Sequence, residues 1–188
     1  MTDSAAQLKE EYDISEIIDG CEVMKYPPPI VAHRSIQGNL YVCIRNFLRG
    51  KRCRVFFETY VIFDEKNRFV PDVLVVCDRD KIKLGHIEGA PDFVAEVLSP
   101  STRKYDIGAK KDVYEKYGVK EYWIIDPAAQ TVDAYILREG KFVLDNSYHN
   151  WSEEDWEMLD ETDRAESKLT LKLSLYDDLE ISVKELFE

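Results

Sequence analysis

The chain has 188 residues, of which 45% are hydrophobic and 33% charged, enough for one domain with a proper core and too short for two comfortable ones. No apolar run approaches the ~18 residues needed to cross a bilayer, so a spanning helix is excluded. The formal net charge of −12 argues against a chain that is basic throughout, as a general polyanion binder would be.

The acidity is uneven. Residues 1–27 carry 7 acidic and 2 basic side chains, residues 28–120 carry 17 basic and 12 acidic, and residues 121–188 carry 18 acidic and 6 basic. The central segment is therefore mildly basic between acidic flanks, and local field steers a ligand more than net charge does. Residues 1–27 read as a polar acidic leader, with a short helix expected from Ser4 to Ile18. The leader lacks the apolar stretch of a secretory signal and the basic character of a transit peptide, so the cytoplasm is the expected compartment. Cys21, Cys43, Cys53 and Cys77 form no CxxC pair and have no histidine at zinc-ligand spacing. They are expected to be buried thiols, without a structural zinc site.

After Pro27-Pro28-Pro29, the apolar residues Ile36, Leu40, Ile44, Phe47 and Leu48 recur at helical spacing, predicting a helix over 30–48 with Gly50 beyond its C-terminus. Arg45, Arg49, Lys51, Arg52 and Arg54 cluster there, where cations suit the helix dipole. Three strands are predicted next, over 55–63, 70–77 and 93–98, with Asp64 to Arg68 as a charged turn. Ser99-Pro100-Ser101-Thr102 ends the third, and Ser101 or Thr102 caps a helix that runs to Tyr117 and stops at Gly118. Tyr122 to Ile125 is an apolar strand. Val132 to Leu137 and Lys141 to Leu144 make a hairpin around Glu139-Gly140. Trp151 to Leu159 reads as an acidic helix capped by Ser152 and Asp155, Lys168 to Leu175 as a strand, and Ile181 to Phe187 as a short terminal segment. This order predicts an α/β sandwich with a mixed β-sheet, helices on each side and additional strands.

Two carboxylates stand out. Asp72 follows Pro71 at the start of the second strand, and Glu96 interrupts the apolar run Phe93-Val94-Ala95-Glu96-Val97-Leu98. Carboxylates on neighbouring strands, ~4.8 Å apart, can share a hard cation such as Mg²⁺, which takes one or two carboxylates plus waters and phosphate oxygens. Two readings of Glu96 remain open at this level: a glutamate facing solvent from an edge strand, or a buried one held by a metal or partner. Asp92 lies about 13 Å along the same strand from Glu96 and cannot share its ion; it reads as a strand-start residue. Asp106 and Lys110 share a helix face at i, i+4, as a surface ion pair or with Lys110 over the sheet near the carboxylates. His33 reads as a cap or surface group, His86 and His149 have no partner at a recognisable spacing, and Ser99, Ser101 and Thr102 as turn and cap formers. No Walker A loop, GxGxxG or HExxH is present.

Taken together, Pro71-Asp72-Val73, the stretch Gly89 to Thr102 with its Glu96-Val97-Leu98-Ser99-Pro100-Ser101-Thr102, Asp106 with Lys110, Tyr114, Gly118-Val119 and Glu121 to Pro127 resemble one family. It is the group of small bacterial restriction endonucleases of the Uma type, within the PD-(D/E)XK nuclease superfamily. The resemblance implies that residues 28–188 form a single restriction-endonuclease-like domain, with Mg²⁺- or Mn²⁺-dependent hydrolysis of nucleic acid, DNA foremost, by a homodimer. It assigns Asp72 and Glu96 to the metal, with the Val97 carbonyl, and Lys110 to the phosphate. Leu98 stands where the family's usual strand lysine would be, and Lys110 on the following helix takes its place. Arg45, Arg49, Arg52, Lys104 and Lys111 would contact backbone phosphates. A second expectation is a catalytically inactive module of the same fold that binds nucleic acid or protein. A third, weaker one is a hydrolase of another phosphoester.

Overall fold

The computed structural model describes residues 15–23, 30–176 and 178–188. A hairpin of β1 (Glu16–Ile18) and β2 (Cys21–Val23) comes first, followed by α1 (Val31–Phe47). Then come β3 (Arg54–Phe57), β4 (Val61–Asp64), β5 (Asn67–Phe69), β6 (Val73–Val76), β7 (Ile87–Glu88) and β8 (Phe93–Val97). Two helices, α2 (Arg103–Asp106) and α3 (Ala109–Tyr117), lead into β9 (Glu121–Asp126), β10 (Thr131–Arg138) and β11 (Lys141–His149). The chain ends in α4 (Glu153–Met158), α5 (Glu161–Glu166), β12 (Thr170–Lys172), β13 (Glu180–Ser182) and α6 (Val183–Phe187). No helix among the described residues is long and apolar enough to cross a membrane.

The main sheet has six strands in the order β11-β10-β9-β8-β6-β3. It is mixed, because β8 and β9 are parallel while the other pairs are antiparallel. The parallel pair needs a crossover, which α2 and α3 supply. Both faces of the sheet are covered, so β8 is apolar in both parities. Phe93, Ala95 and Val97 join the core beneath α1, with its Ile36, Leu40, Ile44 and Leu48. Val94 and Leu98 join a second core with Val113 and Tyr114 of α3 and with Ile18, Val61, Phe69 and Ile87. Those last four belong to a five-stranded sheet ordered β2-β1-β5-β4-β7.

Several expectations change. Residues 4–14 of the expected leader helix lie outside the described residues, and Glu16–Ile18 is a strand paired with β5. The single strand expected over 55–63 is two, because Glu58 takes a left-handed φ of 43° and sends β3 to the main sheet and β4 to the smaller one. The charged turn expected at 64–68 instead contributes Asn67 and Arg68 to β5. The helix expected to run to Tyr117 breaks at Gly108, where a Cβ would sit 2.9 Å from the Lys104 carbonyl oxygen. The cysteines are not four buried thiols. Cys53 and Cys77 are disulfide-bonded, Cys21 is exposed and Cys43 is half-buried. The register Arg54↔Val76 makes 53 and 77 the next facing pair, which no sequence spacing reveals.

Candidate active site

Asp72 and Glu96 are brought together by strand register. The antiparallel pairing Val73↔Ala95 of β6 and β8, continued by one residue, sets Asp72 opposite Glu96 on the same face. The Asp72 N–H donates to Glu96 Oε2 at 3.3 Å, and the Val97 N–H donates to Asp72 Oδ2 at 2.7 Å. Asp72 is 7% exposed and Glu96 only 2%. Glu96 is therefore not an edge-strand residue facing water: β8 lies between β6 and β9 and is covered on both faces.

What Glu96 meets is Lys110. Its Nζ lies 2.9 Å from Glu96 Oε1, 3.1 Å from Asp106 Oδ1 and 3.1 Å from Glu16 Oε1, and the side chain is 1% exposed. Tyr114, one turn along α3, donates its hydroxyl to the same Glu96 Oε1 at 2.7 Å. The i, i+4 pair with Asp106 exists, but it is buried rather than on the surface. Burial on its own would lower the Lys110 pKa; Asp106, Glu16 and Glu96 together hold it well above the ordinary lysine value. Burial pushes Glu96 up most, the Lys110 ammonium opposes this, and Asp106, Asp72 and Glu16 add to it, leaving the carboxyl at about 8. The hydroxyl of Tyr114 is raised too, by burial and by Glu96.

Four participants went unrecognised in the sequence. His33 is 5% exposed, with Nε2 at 3.3 Å from Asp72 Oδ2, so it is not a cap or surface group. Its spacing to Ile36, Leu40 and Ile44 puts it on the buried stripe of α1, and that periodicity could have placed it. Gln37, on the next turn, donates to the Asp72 carbonyl oxygen at 3.0 Å. Tyr114 follows Lys110 at i+4. Glu16 had no local signal; its Oε1 also accepts the Val70 N–H at 2.8 Å. Asp92 sits at the opposite end of β8, where it binds Lys120 at 2.6 Å and accepts the Cys77 N–H at 2.7 Å. The hydroxyls of Ser99, Ser101 and Thr102 bond one another in the turn after β8.

Asp72 and Glu96 are hard oxygen donors on one face, and a cation beside them would offset the burial, and the lesser carboxylate repulsion, that push the Glu96 pKa up. His33 Nδ1 is buried and has no hydrogen-bond partner among the described residues. No group of three or more His, Cys, Asp and Glu converges into a closed cage among the described residues. The donor types are those a hard divalent cation takes, and the described residues hold no thiolate or histidine set of a zinc site.

Comparison with known proteins identifies the family and the fold. A family model described as "Uma2: Putative restriction endonuclease" matches residues 4–178. An uncharacterised Synechocystis protein, slr1290, is 31% identical over 142 residues, which is 74% of this chain and 67% of that protein. A crystal structure from Anabaena variabilis, described as a "putative nuclease belonging to DUF820", superposes with a TM-score of 0.68 at 28% identity, covering 92% of this chain and 89% of the other. The mixed sheet with flanking helices is the restriction-endonuclease-like arrangement. On the extent of the family match, the chain belongs to the Uma2 family of restriction-endonuclease-like proteins.

Proposed function

We propose that the chain is a metal-dependent nuclease that hydrolyses phosphodiester bonds, with DNA its foremost substrate and Asp72 and Glu96 its metal-binding pair. The observation that carries this reading is the cross-strand placement of these two buried carboxylates with the Lys110 ammonium 2.9 Å from Glu96. When bound, Mg²⁺ or Mn²⁺ would supply a water of lowered pKa and neutralise charge on the phosphate oxygens. The Val97 N–H orients Asp72, while Lys110 and Tyr114 fix Glu96 through Oε1 and leave Oε2 turned toward Asp72. A further ligand from the Val97 carbonyl belongs to the same proposal. Lys110 would then act mainly by holding Glu96 ionised and in place.

The test is cleavage of plasmid and oligonucleotide by pure protein with Mg²⁺ or Mn²⁺, against the same mixture in EDTA. Asp72→Ala and Glu96→Ala are each expected to lower the rate at least ~100-fold, as losing a metal ligand does. Cleavage unchanged in both variants would end the assignment. A homodimer would set two such sites against the two strands of a duplex; the molar mass in solution, by light scattering, decides that point.

A second reading is favoured by one observation. The Lys110 ammonium is enclosed by three carboxylates, so it is not poised toward a phosphate. A module that keeps the core and binds nucleic acid or protein without turnover fits that enclosure. Salt-sensitive DNA binding with no calorimetric Mg²⁺ or Mn²⁺ signal would select it.

A further inference from the structure

Where α1 gives way to β3, three arginines face one space. Arg45 in the last turn of α1, Arg49 just beyond it and Arg54 at the start of β3 line a cavity of about 480 Å³ with Leu48, Cys53 and Val55. Gly50, at a φ of 76°, makes the reversal that folds the strand back beside the helix end. The neighbouring Lys51 is matched by Asp178. The three arginines have no acidic partner among the described residues, and no carboxylate lines the cavity.

The helix dipole accounts for a cation at the end of α1 but not for this arrangement. Arg45 lies in the last turn of α1 and Arg49 just past its end, so two like charges line one cavity, an arrangement that an intervening anion would relieve. Arg54 comes from a different element. Its Nη1 is anchored on the carbonyls of Lys51 at 2.7 Å and Cys53 at 3.0 Å, so its guanidinium is held in one orientation before any ligand arrives. Leu48, Cys53 and Val55 give the cavity a buried apolar floor, which strengthens an arginine–anion pair. Guanidinium forks match phosphate oxygens two at a time.

Helix α1 separates the cavity from the carboxylates. His33, which meets Asp72, lies in its first turn and Arg45 in its last, about 18 Å apart at 1.5 Å per residue. We propose that this cavity is a subsite for a backbone phosphate of the bound nucleic acid, remote from the bond cleaved. The placement relative to the scissile bond rests on the nuclease reading; phosphate binding itself does not.

Binding of a short fluorescent duplex and its single strand is measured in EDTA over a range of KCl, so that no cleavage intervenes. Arg45→Ala/Arg49→Ala, a change of two exposed side chains, is expected to weaken binding roughly tenfold or more and to lower the slope of log Kd against log salt by about 1 to 2. Arg54→Ala should do the same in part, and Lys184→Ala on α6 should change neither quantity. A folded double variant with wild-type affinity and slope overturns the subsite. So does competition by inorganic phosphate as effective as that by the oligonucleotide, which marks a small-anion site. Metal-dependent cleavage that needs Asp72 but tolerates the double variant would overturn the subsite and leave the nuclease reading standing. Arginine-dependent binding with no cleavage by the wild type would do the reverse.

Discussion

At the scale of single residues, the site contains more negative than positive charge. Lys110 is in contact with three carboxylates, and Asp72 stands beside Glu96, all of them buried. Taking ions out of water costs several kcal/mol each, so a group that can shed its charge does so, and Glu96 rises to about 8. Because that folded value lies above the ordinary 4.5, the stability it contributes is fully present below about pH 4.5 and is lost as pH rises through about 8. Urea unfolding in EDTA between those limits should show the wild type losing up to ~1.4 kcal/mol per pH unit more than Glu96→Gln. Identical pH profiles would mean that Glu96 does not carry the proton. The two carboxylates were legible in the sequence, since a glutamate inside an apolar run must be paired or exposed. His33 was legible in principle, from its place on the stripe of α1. Glu16 was not, because the ion pair it makes with Lys110 joins residues with no local relation.

Among the elements, the junction of α2 and α3 decides where Lys110 points. A continuous helix would carry residues 103–117 on one axis; the break at Gly108 lets α3 set off in its own direction over the second face of the sheet. Gly108→Ala places a Cβ 2.9 Å from the Lys104 carbonyl oxygen, a fixed backbone atom. A loss of about 1–3 kcal/mol in denaturant stability is expected, together with weaker metal binding by calorimetry. Wild-type values for both would show that the junction adapts without moving Lys110. The hairpin of β10 and β11 was readable because Glu139 and Gly140, both at positive φ, are turn chemistry in the sequence itself. The division of 55–63 between two sheets was not, since a β-rich run looks the same on either side of Glu58. The pairing of Cys53 with Cys77 depends on a register that only the assembled sheet supplies.

For the molecule as a whole, charge invites a boundary that packing does not respect. The first 27 residues are acidic and polar, yet β1 and β2 send Ile18 and Val23 into the second core and Glu16 to the buried lysine. A chain begun at residue 28 should unfold at a lower denaturant concentration than one carrying Glu16→Gln alone, because it loses two apolar anchors as well as the carboxylate. Equal midpoints would assign the whole contribution of the hairpin to that one ion pair. The hairpin therefore bears on laboratory practice. Trimming this protein to its basic centre for crystallisation, or grafting that centre onto another protein, would discard a wall of the cluster that holds Glu96. A negative cleavage result from such a trimmed protein would say nothing about the intact one.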